Sequence, residues 1–345
     1  MQSNRMTGAK TSMKKLKAPF PWFGGKSKVA SEVWRRFGDV SGYIEPFAGT
    51  CAVLLCRPTP FTGVETVNDA DGFVSNFWRA LRADPEAVAD HADWPVNEAD
   101  LHARHLWLVG QREPMTERLM GDPDWYDAKI AGWWVWGISA WIGGGWCSGN
   151  GPWQSVGGVF TKGDSGKGVR QKLPHLSNYG QGVHRQRPHL GDSGIGVHRQ
   201  HDGLHAWMQD LAARFRRVRV ACGDFTRVLG PSVRTAGGKS CAVFLDPPYD
   251  LAIRDKGCYA TDSDGVAVRA REWAVEHGND QSIRIALCGY QGEHAMPEGW
   301  SCYEWSAAGG YSRDGSRGQS NRSLERIWFS PHCLNPKHEG QLWSA

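Results

Sequence analysis

The sequence predicts an α/β fold with a mostly parallel central sheet, and three observations carry that prediction. Short apolar runs such as 241–245 (Cys-Ala-Val-Phe-Leu) suit strands buried on both faces. Stripes at helical spacing lie between those runs, as with Phe73, Phe77 and Leu81. The stretch 42–56 reads as strand, glycine turn and apolar helix, the geometry of a nucleotide-binding βα unit.

Taken in order, residues 1–18 carry Arg5, Lys10, Lys14, Lys15 and Lys17 without an acid, and read as a mobile basic tail. Pro19-Phe20-Pro21-Trp22-Phe23-Gly24-Gly25-Lys26 follows, with paired glycines that let backbone approach a ligand and a lysine that supplies charge. Ser27 reads as the N-cap of a helix whose buried face is Val29, Val33 and Phe37. A strand at 42–45 leads through Glu45-Pro46-Phe47-Ala48-Gly49 into a helix at 52–56. A second strand, 64–67, ends at Asn68-Asp69, 20 residues after Gly49, near the spacing at which an acid meets ribose hydroxyls. Asp69 is equally a candidate N-cap for the helix 72–82.

The pattern from 85 to 121 is helical, with breaks expected at Pro95 and Pro114. An aromatic helix at 125–143 carries Trp133, Trp134, Trp136 and Trp141 nearly all round, so it should lie buried between layers. Residues 143–200 are Gly-rich and basic. They hold a 14-residue repeat in which Pro174-His175-Leu176 and Val183-His184-Arg185-Gln186 recur as Pro188-His189-Leu190 and Val197-His198-Arg199-Gln200. Two copies are too few for a solenoid. The repeat presents Arg185 and Arg199 in equivalent settings, either to DNA base edges or as an inert duplicated loop.

Regular structure resumes with a stripe of Leu204, Met208, Leu211 and Phe215. A strand at 219–221 precedes Cys222-Gly223-Asp224-Phe225, the strand 241–245 follows, then a helix at 266–277 and a buried strand at 283–287. Segments 301–305 and 324–329 form a closing strand pair. Between them, Arg313 and Arg317 sit in a Gly/Ser/Arg-rich stretch that is either disordered or phosphate-contacting.

Composition narrows the class. Hydrophobic content of 40% and charged content of 22% describe a soluble globular chain. No apolar run approaches the roughly 18 residues of a membrane span, and no leader segment is evident, so a cytoplasmic protein is expected. The nine cysteines have neither C-x-x-C nor zinc spacing and read as reduced thiols, with no metal site. Net charge is only +4, but residues 151–200 hold seven Lys/Arg against Asp164 and Asp192, as expected of a phosphate-facing segment.

The stretch with most chemistry is Asp246-Pro247-Pro248-Tyr249 at the end of the 241–245 strand. In an open α/β sheet, ligands sit beyond the carboxyl ends of strands. Two prolines remove two N–H donors and leave the carbonyls free of any helix. A carboxylate, a free carbonyl and an aromatic ring within four residues can accept both hydrogens of an exocyclic amine and stack on the ring that carries it.

Five motifs in order, Trp22-x-Gly-Gly-Lys26, Glu45-Pro-Phe-x-Gly49, Asn68-Asp69, Gly223-Asp224-Phe225 and Asp246-Pro-Pro-Tyr249, resemble the Dam-like, D12 class of DNA adenine-N6 methyltransferases, which includes phage members. The resemblance implies a Rossmann-like sheet of seven strands with the last one reversed, S-adenosylmethionine as cofactor, double-stranded DNA as substrate, and a monomer or weak dimer. Carried onto this sequence, it implies that Trp22, Lys26, Asp69 and Asp224 bind the cofactor. Asp69 would take the ribose hydroxyls, and Asp224 the adenine amine with Phe225 beside the ring. Glu45 and Gly49 would shape the loop near the methionine end, and Phe47 would also bind the cofactor. Asp246, Pro247, Pro248 and Tyr249 would form the catalytic site, reached by a base flipped out of the duplex. The implied division is a catalytic domain at 19–84 and 202–332, an inserted target-recognition region at 85–201, and a C-terminal tail at 333–345. The 143–200 segment departs from the short recognition hairpin of the best-known members, so no target sequence transfers. Cytosine-N4 methylation, RNA methylation and a catalytically silent DNA-binding relative are the alternatives.

Overall fold

The computed structural model describes residues 16–22, 24–58, 60–141, 146–147, 153–156, 159–162, 200–249, 265–306 and 324–335. Seven strands make one sheet: β1 (Gly42–Glu45), β2 (Val64–Asp69), β5 (Val218–Cys222), β6 (Cys241–Leu245), β7 (Ile283–Tyr290), β8 (Ser301–Glu304) and β9 (Glu325–Phe329). The two other strands among the described residues, β3 (Trp153–Val156) and β4 (Val159–Lys162), pair antiparallel in a separate hairpin that the sequence reading did not foresee.

The sheet order is β5-β2-β1-β6-β7-β9-β8. From β5 to β7 every pairing is parallel, while β9 runs antiparallel to both β7 and β8. The last strand of the chain is therefore the reversed one, as expected. Strand order turns back between β1 and β6, and this is where the loops after the parallel strands diverge to leave a crevice.

Every residue of β6 is buried, as a doubly covered strand requires, and its side chains alternate between two apolar clusters. Ala242 and Phe244 join one apolar cluster, whereas Cys241, Val243 and Leu245 join the other. The larger cluster holds the aromatic face. In it Trp78 of α3 (Gly72–Ala83) stacks on Phe215 of α7 (Gln200–Phe215) at 4.1 Å, an aromatic pair worth about 1 kcal/mol beyond its buried area. The smaller cluster is covered by α9 (Val266–His277) through Ala270 and Ala274. The stripe Leu204, Met208, Leu211 and Phe215 is fully buried as predicted.

Several local expectations need correction. Ser27 is not a cap: α1 (Ala30–Phe37) starts after Val29 without a side-chain cap, because the Lys26 carbonyl accepts from the N–H groups of both Val29 and Ala30. Asp71, not Asp69, caps α3, accepting from Phe73 N–H. Pro95 lies between α4 (Pro85–Ala92) and α5 (Glu98–Gly121), but Pro114 sits inside α5 without ending it. Burial of Met115 and Leu119 in the core outweighs the one hydrogen bond a proline removes. The aromatic helix α6 is shorter than predicted, Ala128–Ala140, because the Asp127 carboxylate accepts from Ile130 N–H and starts it there. Trp134 and Trp136 are buried. Residues of α4, α5 and α6 share one apolar cluster with α3 and α7.

Among the described residues, no helix is long and apolar enough to cross a membrane, and no group of His, Cys, Asp and Glu is arranged to hold a metal ion.

Candidate active site

The carboxyl ends of β1, β2 and β6 open onto one cleft. Its walls bring together Trp22, Lys26, Glu45, Phe47, Gly49 and Asp69 with Asp246 and Pro248. Residues more than 220 positions apart in the chain thus meet at one crevice. Pro247 and Tyr249 do not line it; both are buried beside it.

The loop after β1 is fixed by backbone. Gly49 takes φ +44°, and a Cβ there would sit 2.7 Å from Trp22 Nε1, so only glycine lets the loop close against the indole. Gly49 N–H donates to Asp69 Oδ2 at 2.9 Å, and Asp71 N–H donates to Asp69 Oδ1 at 2.9 Å. Asp69 therefore joins the loops after β1 and β2. Burial pushes its carboxyl up to about 7 despite those N–H donors. Asn68 Nδ2 adds a second tie, donating to Pro46 O at 3.0 Å and Gly223 O at 2.9 Å.

Glu45 is buried and accepts from the Tyr43 hydroxyl at 2.9 Å and Leu54 N–H at 3.3 Å. Burial pushes its carboxyl up to about 8, so it carries a proton at neutral pH. Phe47 stacks on Phe225 at 5.2 Å, which leaves an aromatic surface beside the cleft.

Asp224 lies outside the cleft wall, at the N-terminus of a single 3₁₀ turn, where it accepts from Thr226 N–H and Oγ1. Both its oxygens also receive Arg269 of α9, at 3.0 and 3.1 Å. Burial acts against its charge, but the bonds from Arg269 and Thr226 hold its carboxyl below the usual range. Arg269 also lies over the Phe225 ring at 5.0 Å. No local pattern marks this arginine's role, because it sits on the polar side of an ordinary helix 45 residues on.

At the end of β6, Lys26 Nζ lies 2.8 Å from Asp246 Oδ1 and donates to Gly24 O at 2.8 Å. The lysine is 4% exposed, so the catalytic candidate carries a buried cation as its partner. The same ammonium stands 5.3 Å from the Tyr249 ring centre and 5.8 Å from that of Trp305. Tyr249 packs edge-on against Tyr290, and its hydroxyl reaches Glu325 Oε2 at 2.9 Å and Asp246 Oδ1 at 3.4 Å. Sequence reading passed over Glu325; its one signal was an acid opening a strand whose last three residues are apolar. Arg185, Arg199, Arg313 and Arg317 lie outside the described residues.

The sheet order with its reversed last strand, and a cleft at the switch point, define a Rossmann-like methyltransferase fold. One step finer, a family model described as D12 class N6 adenine-specific DNA methyltransferase matches residues 22–102, which bears out the resemblance read from the motifs. That stretch holds the first three motifs, from Trp22 to Asp69, and stops short of Asp224 and Asp246. No curated protein matches the chain.

Proposed function

We propose that the protein is a site-specific methyltransferase that transfers a methyl group from S-adenosylmethionine to N6 of adenine in duplex DNA, the target base being flipped out of the stack. The observation that carries this reading is the shared cleft: Asp246 opens onto the same crevice as Trp22, Glu45, Gly49 and Asp69. The D12 class match over residues 22–102 supports DNA adenine methylation as the activity.

The donor set fits the cofactor. A glycine cradle closed against an indole, an acid facing the cleft at the end of β2 and a stacked phenylalanine pair suit, in turn, an amino-acid tail, a ribose and a purine. Trp22, Glu45 and Gly49 would hold the methionine end, Asp69 the ribose hydroxyls, and Phe47, Asp224 and Phe225 the adenine. When bound, S-adenosylmethionine supplies an electrophilic methyl group on a positively charged sulfur.

The protein's own residues act on the acceptor. An exocyclic amine is a poor nucleophile because its lone pair is delocalised into the ring. Asp246 accepts one amine hydrogen and the Pro247 carbonyl the other, which favours a pyramidal nitrogen with its lone pair free. Lys26 orients the Asp246 carboxylate. Positioning of this kind supplies much of the rate when the leaving group is already good. Tyr249 and Pro248 shape the pocket for the flipped base.

Incubation with labelled S-adenosylmethionine and unmethylated duplex DNA, followed by nucleoside analysis and sequencing, tests the reading. The expected product is N6-methyladenine within one short motif. N4-methylcytosine would move the target base, and methylation of RNA alone would overturn the DNA assignment.

A further inference from the structure

Tyr249 has two carboxylates within reach of one hydroxyl. Glu325 Oε2 accepts it at 2.9 Å, while Asp246 Oδ1 stands at 3.4 Å. Glu325 opens β9 directly opposite Tyr290 of β7, and Tyr290 is the ring on which Tyr249 packs, at 4.5 Å. The reversed last strand is thus what delivers this carboxylate to the catalytic motif.

Glu325 is 4% exposed, and burying a carboxylate is costly unless a partner compensates. The charge of nearby Lys26, itself bonded to Asp246, compensates it most, and the Tyr249 hydroxyl donates a hydrogen bond to it. Burial pushes the Glu325 carboxyl up, Lys26 opposes that, Asp246 adds to it and the Tyr249 bond opposes it. The Asp246 carboxylate already gives one oxygen to Lys26 at 2.8 Å. A hydroxyl donated to that same oxygen would compete with an amine for its remaining lone pairs.

Resting on the methyltransferase reading above, we propose that Glu325 is a positioning residue that draws the Tyr249 hydroxyl away from Asp246, so that the catalytic carboxylate stays free to accept the substrate amine. Tyr249 then serves through its ring, and its hydroxyl is a hazard that Glu325 neutralises.

The test is a cycle of variants in the full chain: Glu325→Ala, Glu325→Gln, Tyr249→Phe, and Glu325→Ala with Tyr249→Phe. Single-turnover methylation of duplex DNA and the affinity for S-adenosylhomocysteine by calorimetry are read for each. Glu325→Ala is expected to slow transfer about tenfold, the weight of one competing hydrogen bond, with cofactor-site affinity unchanged. Glu325→Gln, whose amide oxygen still accepts the hydroxyl, restores most of the rate. Adding Tyr249→Phe to Glu325→Ala also restores it, because the competing donor is gone; a loss through general disorder of β9 would not be rescued this way. If Glu325→Ala does not fold, Glu325→Met keeps the volume without the acceptor and serves in its place.

A wild-type rate in Glu325→Ala, or a double variant as slow as the single one, overturns the inference. A wild-type protein that methylates nothing is a different outcome and overturns the underlying reading instead.

Discussion

Two ion pairs of nearly equal length stand at this site in different surroundings. Lys26 and Asp246 meet at 2.8 Å, with side chains 4% and 22% exposed. Arg269 and Asp224 meet at 3.0 Å, with side chains 49% and 43% exposed. An exposed pair contributes little, so a ligand can replace one partner at small cost. A buried pair is hard to separate, because the partner left behind keeps an uncompensated charge. The contrast suggests a division of labour: the carboxylate proposed for catalysis is fixed in advance, while the carboxylate proposed for the cofactor's adenine is held by an arginine that can be exchanged.

The largest effect should come from the buried pair. Lys26→Met removes the cation from Asp246, and methyl transfer is expected to fall by about 10²-fold, as when one preorganised electrostatic partner is lost. Stability should also fall by about 1–3 kcal/mol in urea denaturation, toward the low end because Asp246 keeps some solvent. Equal, small losses from Lys26→Met and Arg269→Ala would break the comparison.

A pH effect comes next. Burial raises the Glu45 carboxyl from 4.5 to about 8, so between those values the native state holds a proton that the unfolded chain has released. Stability contributed by this group is present below pH 4.5 and is lost as pH rises toward 8. Glu45→Gln should flatten that decline, read as the urea midpoint at pH 5 against pH 8. Asp69, raised to about 7, adds a slope of the same sign over a slightly lower window.

The smallest effect belongs to the exposed pair. Arg269→Ala frees Asp224, and the affinity for S-adenosylhomocysteine should rise by no more than about fivefold, the ceiling for a surface pair. The gap between wild type and variant should shrink with added salt. A large loss of affinity would show that Arg269 itself holds the ligand.

The frame of the molecule was readable from local patterns. All seven strands of the main sheet were placed from short segments; β6 and β7 were plainest, because a strand covered on both faces leaves a continuous apolar signature. The stripes of α1, α3 and α7 were equally plain. Errors arose where two candidates lay close together, as with Asp69 and Asp71 competing to cap α3. They also arose where packing overrode a local rule, as with Pro114 inside α5.

The candidate site was legible residue by residue but not pair by pair. Nothing local joins Lys26 to Asp246, Asp224 to Arg269, or Tyr249 to Glu325. Those contacts follow from sheet order: β6 beside β1 places Asp246 near the loop carrying Lys26, and β9 beside β7 places Glu325 against Tyr249. Topology of that kind is set by the whole chain, so short motifs name the participants without their partners.

The most direct test of the division between a catalytic and a cofactor carboxylate is the single-turnover methylation rate at saturating S-adenosylmethionine, measured side by side for Asp246→Ala and Asp224→Ala. The account predicts that the rate collapses in Asp246→Ala although the protein still binds S-adenosylhomocysteine. In Asp224→Ala the loss should appear in cofactor affinity, with little change in the saturated rate. A wild-type rate in Asp246→Ala, or equal losses of saturated rate in both variants, would contradict it.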